Sequence, residues 1–94
     1  MDRIIKIIGS VIIDGVEPVN RDTAGWDRRS GFRGFEGWLV IRLTDDGTTY
    51  AVIDNGRRCI STSRGELTLT ADCAVFTTAN SIYTFRIVHE AKAG

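Results

Sequence analysis

The sequence predicts an all-β domain, a small antiparallel meander of six or seven strands closed into a barrel or folded into a two-layer roll. Three observations predict it. Apolar residues recur with period two in most of the chain, turn signals interrupt them at short intervals, and no window of helical length carries an amphipathic i, i+3, i+4 stripe between caps. Little or no helix is expected. Six or seven strands in 94 residues would expose too many edges as one flat sheet, which favours closure.

The first element is expected from Ile4 to Ile8 and from Val11 to Ile13, two β-branched runs broken by Gly9 and Ser10. A bulge or bend at Gly9 is the natural reading of the break. From about residue 20 to residue 37 the alternation stops, and an irregular loop is expected. Trp38 to Leu43 then reads as a strand with two unlike faces, Leu39, Ile41 and Leu43 against Trp38, Val40 and Arg42. Asp45, Asp46 and Gly47 make a tight turn, with Tyr50 to Ile53 as the returning strand. Asn55 and Gly56 supply the strongest hairpin signal, so a further strand follows near Arg58 to Thr62. Leu67 and Leu69 mark the next, and Ala79, Asn80 and Ser81 turn Val75–Thr78 into Ile82–Val88.

Composition narrows the functional classes. One domain spanning residues 1–94 is expected, since this length suits one core and no second lobe. The chain is 43% hydrophobic and 26% charged, as globular domains are. Twelve basic and twelve acidic residues cancel, so the whole-molecule field favours neither DNA binding nor DNA mimicry. Arg21 to Arg64 holds eight basic and six acidic residues, a mild basic centre. The run IIKIIGSVII is too short and too interrupted to span a bilayer and lacks a signal-peptide pattern, so a cytosolic location is expected. Cys59 and Cys73 are expected as free thiols serving as small core residues.

Catalysis finds little support. His89, the single histidine, is expected to face solvent at a strand end, and zinc spacing is missing. Asp45 and Asp46 read as turn chemistry, and Ser61, Thr62 and Ser63 have no base nearby in sequence. No phosphate-cradling glycine motif occurs. Neither an enzyme nor a bound cofactor or metal is expected.

Binding has a candidate in GWDRRSGFRGFEGW, Gly25 to Trp38, where four glycines, four aromatic rings and three arginines crowd into fourteen residues. Trp38 and Phe35 are expected in the core, closing one end of the barrel. Trp26, Arg28, Arg29, Phe32 and Arg33 remain as the candidate partner-binding residues, because Trp and Arg supply large contact area and several donors at interfaces. Stacking on bases would use the same atoms, but Asp27 and Glu36 within the stretch suit a protein interface better than phosphate. Arg57, Arg58 and Arg64 form a second basic group, with Arg64 expected at the opposite end of a strand from the other two.

The ending VFTTANSIYTFRI resembles a tail found in small β-rich proteins of phages and mobile elements, T-x-N-S-x-Y followed by an alternating strand, here Thr78, Asn80, Ser81, Tyr83 and Phe85. The resemblance covers about a dozen residues and implies a small accessory protein, of which anti-CRISPR inhibitors are one group. The expected function is a non-enzymatic binding protein that occludes a surface of a larger host protein or ribonucleoprotein complex. The alternatives are a nucleic-acid-binding small barrel and a structural subunit that assembles through an open strand edge, with the apolar N-terminal run as that edge.

Overall fold

A computed structural model describes residues 2–19 and 31–91. Seven strands form one antiparallel sheet: β1 (Arg3–Pro18), β2 (Glu36–Leu43), β3 (Thr49–Asp54), β4 (Cys59–Ser61), β5 (Gly65–Leu69), β6 (Cys73–Thr78) and β7 (Ser81–Glu90). No helix occurs among the described residues. Strand neighbours follow the order β2-β1-β7-β6-β5-β3-β4, and β2 also pairs with β3. Six strands thereby close a ring, β1-β2-β3-β5-β6-β7, and the fold is a small barrel. Closure gives most strands two partners and removes the edges that a flat sheet would leave.

β4 lies outside that ring. β3 carries β4 along Val52–Asp54 and meets β5 only at Thr49↔Gly65. The chain between them crosses from one sheet neighbour to another rather than forming a hairpin. Gly65 allows the crossing: a Cβ there would lie 2.1 Å from the Thr77 carbonyl oxygen, so only a glycine fits so close to β6.

The core follows from the alternation. Across the ladders Ile13 faces Phe85 and Ala74, Leu39 faces Ile53 and Ile60, and Val16 faces Tyr83 and Phe76. All of these are buried. Fully burying one such side chain stabilises the fold by about 1.5–3 kcal/mol. The Tyr83 and Phe85 rings stack with centroids 6.3 Å apart.

The expected turns form where Asp and Gly place them. Gly47 and Gly56 adopt positive φ of 86° and 88° at the β2–β3 and β3–β4 tips. The break at Gly9 is a bend within one continuous strand. The β1–β2 register shifts between Ile7 and Gly9, and Gly9 has φ of 130°.

Two core expectations are corrected. Trp38 is 44% exposed, because it shares a strand with the buried Leu39 and period two sends neighbours to opposite faces. Cys59 is also exposed, since it pairs with Asp54 on the outer face, while Cys73 is half-buried at the start of β6.

The tail motif is spent on folding. Thr78 Oγ1 accepts the Ser81 N–H at 3.0 Å and donates to the Ser81 carbonyl at 3.0 Å, which clamps the β6–β7 turn. The Asn80 carbonyl accepts the Val19 N–H at 2.9 Å, tying that turn to the end of β1. Ser81, Tyr83 and Phe85 are buried beneath it.

Candidate functional site

Of the sequence-derived binding residues, Trp26, Arg28 and Arg29 lie outside the described residues. Phe32 and Arg33 are described. Phe32 is half-buried and packs with Phe35 against the core, and Arg33 is exposed. The turn that carries them is fixed to β1: Gly34 N–H donates to the Ile13 carbonyl at 2.8 Å, and Ile13 N–H to the Phe35 carbonyl at 2.9 Å.

The structure brings one member of the second basic group, Arg58, to this turn. The Arg58 guanidinium carbon stands 5.8 Å from the Phe32 ring centroid and 5.9 Å from that of Phe35. Both distances lie within the range of cation–π attraction, about 0.5–1 kcal/mol at an exposed site. Arg64 is elsewhere, at the far end of β4, where its Nη2 lies 3.7 Å from Asp46 Oδ2. Arg58 and Arg64 therefore do not belong to one patch.

Register extends the site beyond the loop. Residues paired across a ladder share a face, and β1 to β4 set three rows on the outside of the barrel. Ser10, Trp38, Asp54 and Cys59 form the first row, Ile7, Val40, Val52 and Ser61 the second, and Ile4, Arg42 and Tyr50 the third. The opposite face of the same strands holds the buried Leu39, Ile41, Ala51, Ile53 and Ile60. Apolar side chains lie in every row of the outer face, with Ile4 at 51%, Ile7 at 49% and Trp38 at 44% exposure. The sequence signal for this face was present in the alternation of β2. Its contribution from β1 was not legible, because the bulges shift which isoleucine faces outward.

Polar groups bound the face. At the third row Tyr50 donates its hydroxyl to Asp2 Oδ2 at 2.8 Å, and Arg42 donates to the Asp2 carbonyl at 3.2 Å. The bond to Asp2 raises the Tyr50 pKa above its ordinary value, because the neighbouring carboxylate favours the protonated phenol. Beyond lies an open cleft of about 580 Å³ lined by Asp2, Thr44, Tyr50, Ser61–Arg64 and Ala79.

Chemistry for catalysis does not converge anywhere among the described residues. His89 is exposed on β7, and among the described residues no group of three or more His, Cys, Asp or Glu could hold a metal ion. Asp46 serves its turn: Thr44 and Thr48 both donate hydroxyls to Oδ1, as does the Thr48 amide at 3.2 Å. No helix among the described residues is long and apolar enough to cross a membrane. Compared with protein-family models, with curated proteins and with solved structures, the chain matches none.

Proposed function

We propose that the chain is a non-enzymatic binding domain that occludes a surface of a larger protein or ribonucleoprotein complex, using the outer face of β1–β4 as its dock. The observation that carries this reading is the exposed Trp38, set in a row with Asp54 and next to the apolar row Ile7–Val40–Val52. A tryptophan on an open apolar sheet face is the composition of an interface centre rather than of a solvated surface.

Size decides what else must take part. Three rows two residues apart on four strands span about 14 Å by about 14 Å between Cα positions, or about 400 Å² with side-chain margins. A stable interface needs about 800 Å² from each partner. Phe32, Arg33 and Arg58 supply part of the difference, and Trp26, Arg28 and Arg29, read from the sequence alone, are proposed as further contacts. Trp38 and Phe32 would anchor in an apolar depression, and the arginines would pair with acidic groups around it. Asp54 beside Trp38 favours a protein partner over nucleic acid, since a carboxylate at the centre repels phosphate. The phage-type resemblance adds that the partner belongs to a host defence system.

The test is affinity capture from host lysate with three baits: the native chain, Trp38→Ala, and Arg28→Glu with Arg29→Glu. Loss of a central tryptophan costs at least about 2 kcal/mol, or about thirtyfold in affinity. One protein should be retained by the native chain and lost from both variants, whose circular dichroism stays native. Equal retention by all three baits would remove this face from the mechanism. A complex formed only with RNA or single-stranded DNA, and dissolved by modest salt, would replace the reading with the nucleic-acid one.

A further inference from the structure

The β3–β4 tip sets a carboxylate, an asparagine and a glycine in a reactive order. The Gly56 N–H donates to Asp54 Oδ1 at 2.7 Å. Asn55 Oδ1 accepts two backbone N–H groups, from Arg57 at 2.9 Å and from Arg58 at 2.7 Å. Asn55 and Gly56 are exposed, and beyond its chain neighbours no described atom lies within 4 Å of the place a Gly56 Cβ would take. Water reaches the pair freely.

We propose that this tip is a self-modification site, where Asn55 closes on Gly56 to a succinimide that opens to aspartate or isoaspartate. The reaction is the chain's own, a single turnover without a substrate. The Gly56 nitrogen attacks Asn55 Cγ, and its proton passes to Asp54 as the N–C bond forms. A general base must stand within about 2.6–3.2 Å of the atom whose proton it takes, and Asp54 does. Charge then builds on Asn55 Oδ1, where two amides already stand at the spacing of about 2.7–3.1 Å that stabilises an oxyanion. The Cγ–Nδ2 bond breaks, and ammonia leaves with the proton that Asp54 held. Water opens the ring in one of two ways. Cleaving N–Cγ restores the backbone with aspartate, and cleaving the bond to the Asn55 backbone carbonyl carbon reroutes it through Cγ as isoaspartate, one methylene longer.

Two comparable pairs lack these parts. At Asp46–Gly47 the glycine N–H donates to the Thr44 carbonyl at 3.1 Å, and the Thr44 and Thr48 hydroxyls hold the Asp46 carboxyl ionised, which resists attack. At Asn80–Ser81 the Ser81 N–H donates to Thr78 Oγ1 at 3.0 Å, and Ser81 is buried. Modification at Asn55 adds a charge beside Asp54. The isoaspartate product also lengthens the chain ahead of Arg58, so Arg58 no longer meets Phe32 and Phe35 in the same geometry.

Incubation of the native chain at physiological temperature and mildly alkaline pH, followed by peptide mapping that separates aspartate from isoaspartate, tests this. Conversion at Asn55 should outpace that of a free peptide with the sequence of Val52–Ile60 at least about tenfold, because only the folded tip holds base and donors together. Asp54→Ser keeps an acceptor for the Gly56 N–H but removes the base, and with native circular dichroism it should slow conversion at least about tenfold. The same change in the peptide should have little effect. A folded chain no faster than the peptide, a native rate in Asp54→Ser, or equal conversion at Asn80 would overturn the proposal.

Discussion

Replacing Gly9 and Gly15 in turn by alanine places one methyl group at two points of the same strand and should move stability in opposite directions. At Gly9 the backbone sits at φ of 130°, and a Cβ would stand 2.1 Å from the His89 carbonyl oxygen and 2.7 Å from the Ala91 nitrogen. Contacts that short do not persist, so β7 must withdraw. The strained conformation costs about 1–3 kcal/mol, and losing the Ala91-to-Ile8 hydrogen bond adds about 1 kcal/mol. A total of about 2–4 kcal/mol is a large share of the about 5–14 kcal/mol expected for a domain of this length. At Gly15 nothing lies within 4 Å of the added methyl. Alanine there restricts only the unfolded chain and should stabilise by about 0.4–1 kcal/mol. Urea unfolding followed by tryptophan fluorescence measures both. With a slope of about 1 kcal/mol per molar, the Gly9→Ala midpoint falls by about 2–4 M while the Gly15→Ala midpoint rises slightly. Equal shifts for the two variants, or a Gly9→Ala loss below about 1 kcal/mol, would refute the close approach of β1 and β7.

Asp46 is held at a pKa of about 2, below its ordinary 3.8, first by the hydroxyls of Thr44 and Thr48 and then by the Thr48 amide. Its support of the β2–β3 turn is therefore complete above the ordinary carboxylate value and is lost as pH falls through about 2. A carboxyl NMR titration should place its midpoint there, with the Thr48 amide signal following it; a midpoint near 4 would contradict the turn geometry. Cys59 is exposed and Cys73 half-buried, both as free thiols, so a soluble disulfide reagent read by mass spectrometry should modify Cys59 first. Equal rates would mean that Cys59 does not face outward.

Most of the fold was legible because its signals are local. Turn residues at Asp46–Gly47, Asn55–Gly56 and Ala79–Ser81 mark hairpins by their own backbone preferences, and period two separates Leu39 and Ile41 from Val40 and Arg42. What was not legible depends on contacts between distant segments. The expectation for Trp38 rested on the apolar character of its ring, yet the register that buries Leu39 must turn Trp38 outward. The β2–β3 hairpin sets the end of β3 beside the start of β2, Trp38 against Asp54, but no local pattern announces that Phe32 and Phe35 fold back to meet Arg58 there. The crossing from β4 to β5 was likewise hidden, because Ser63–Gly65 reads as an ordinary turn until Thr49 is seen beside Gly65.

The pairing of β1 with β7 has a consequence for how the protein is made. Ile13 meets Phe85 across that seam, and at about 5–20 residues per second a ribosome delivers the second several seconds after the first. Until then the nascent chain holds Val11, Ile13 and Val16 on a strand with one side unmatched, while the β1–β4 ladders and the β5–β6 hairpin can form. The ring therefore cannot close until β7 joins β1 to β6. Any interruption before Phe85 leaves an apolar ribbon in need of a chaperone, and the fold is acquired in one late step when the last strand arrives.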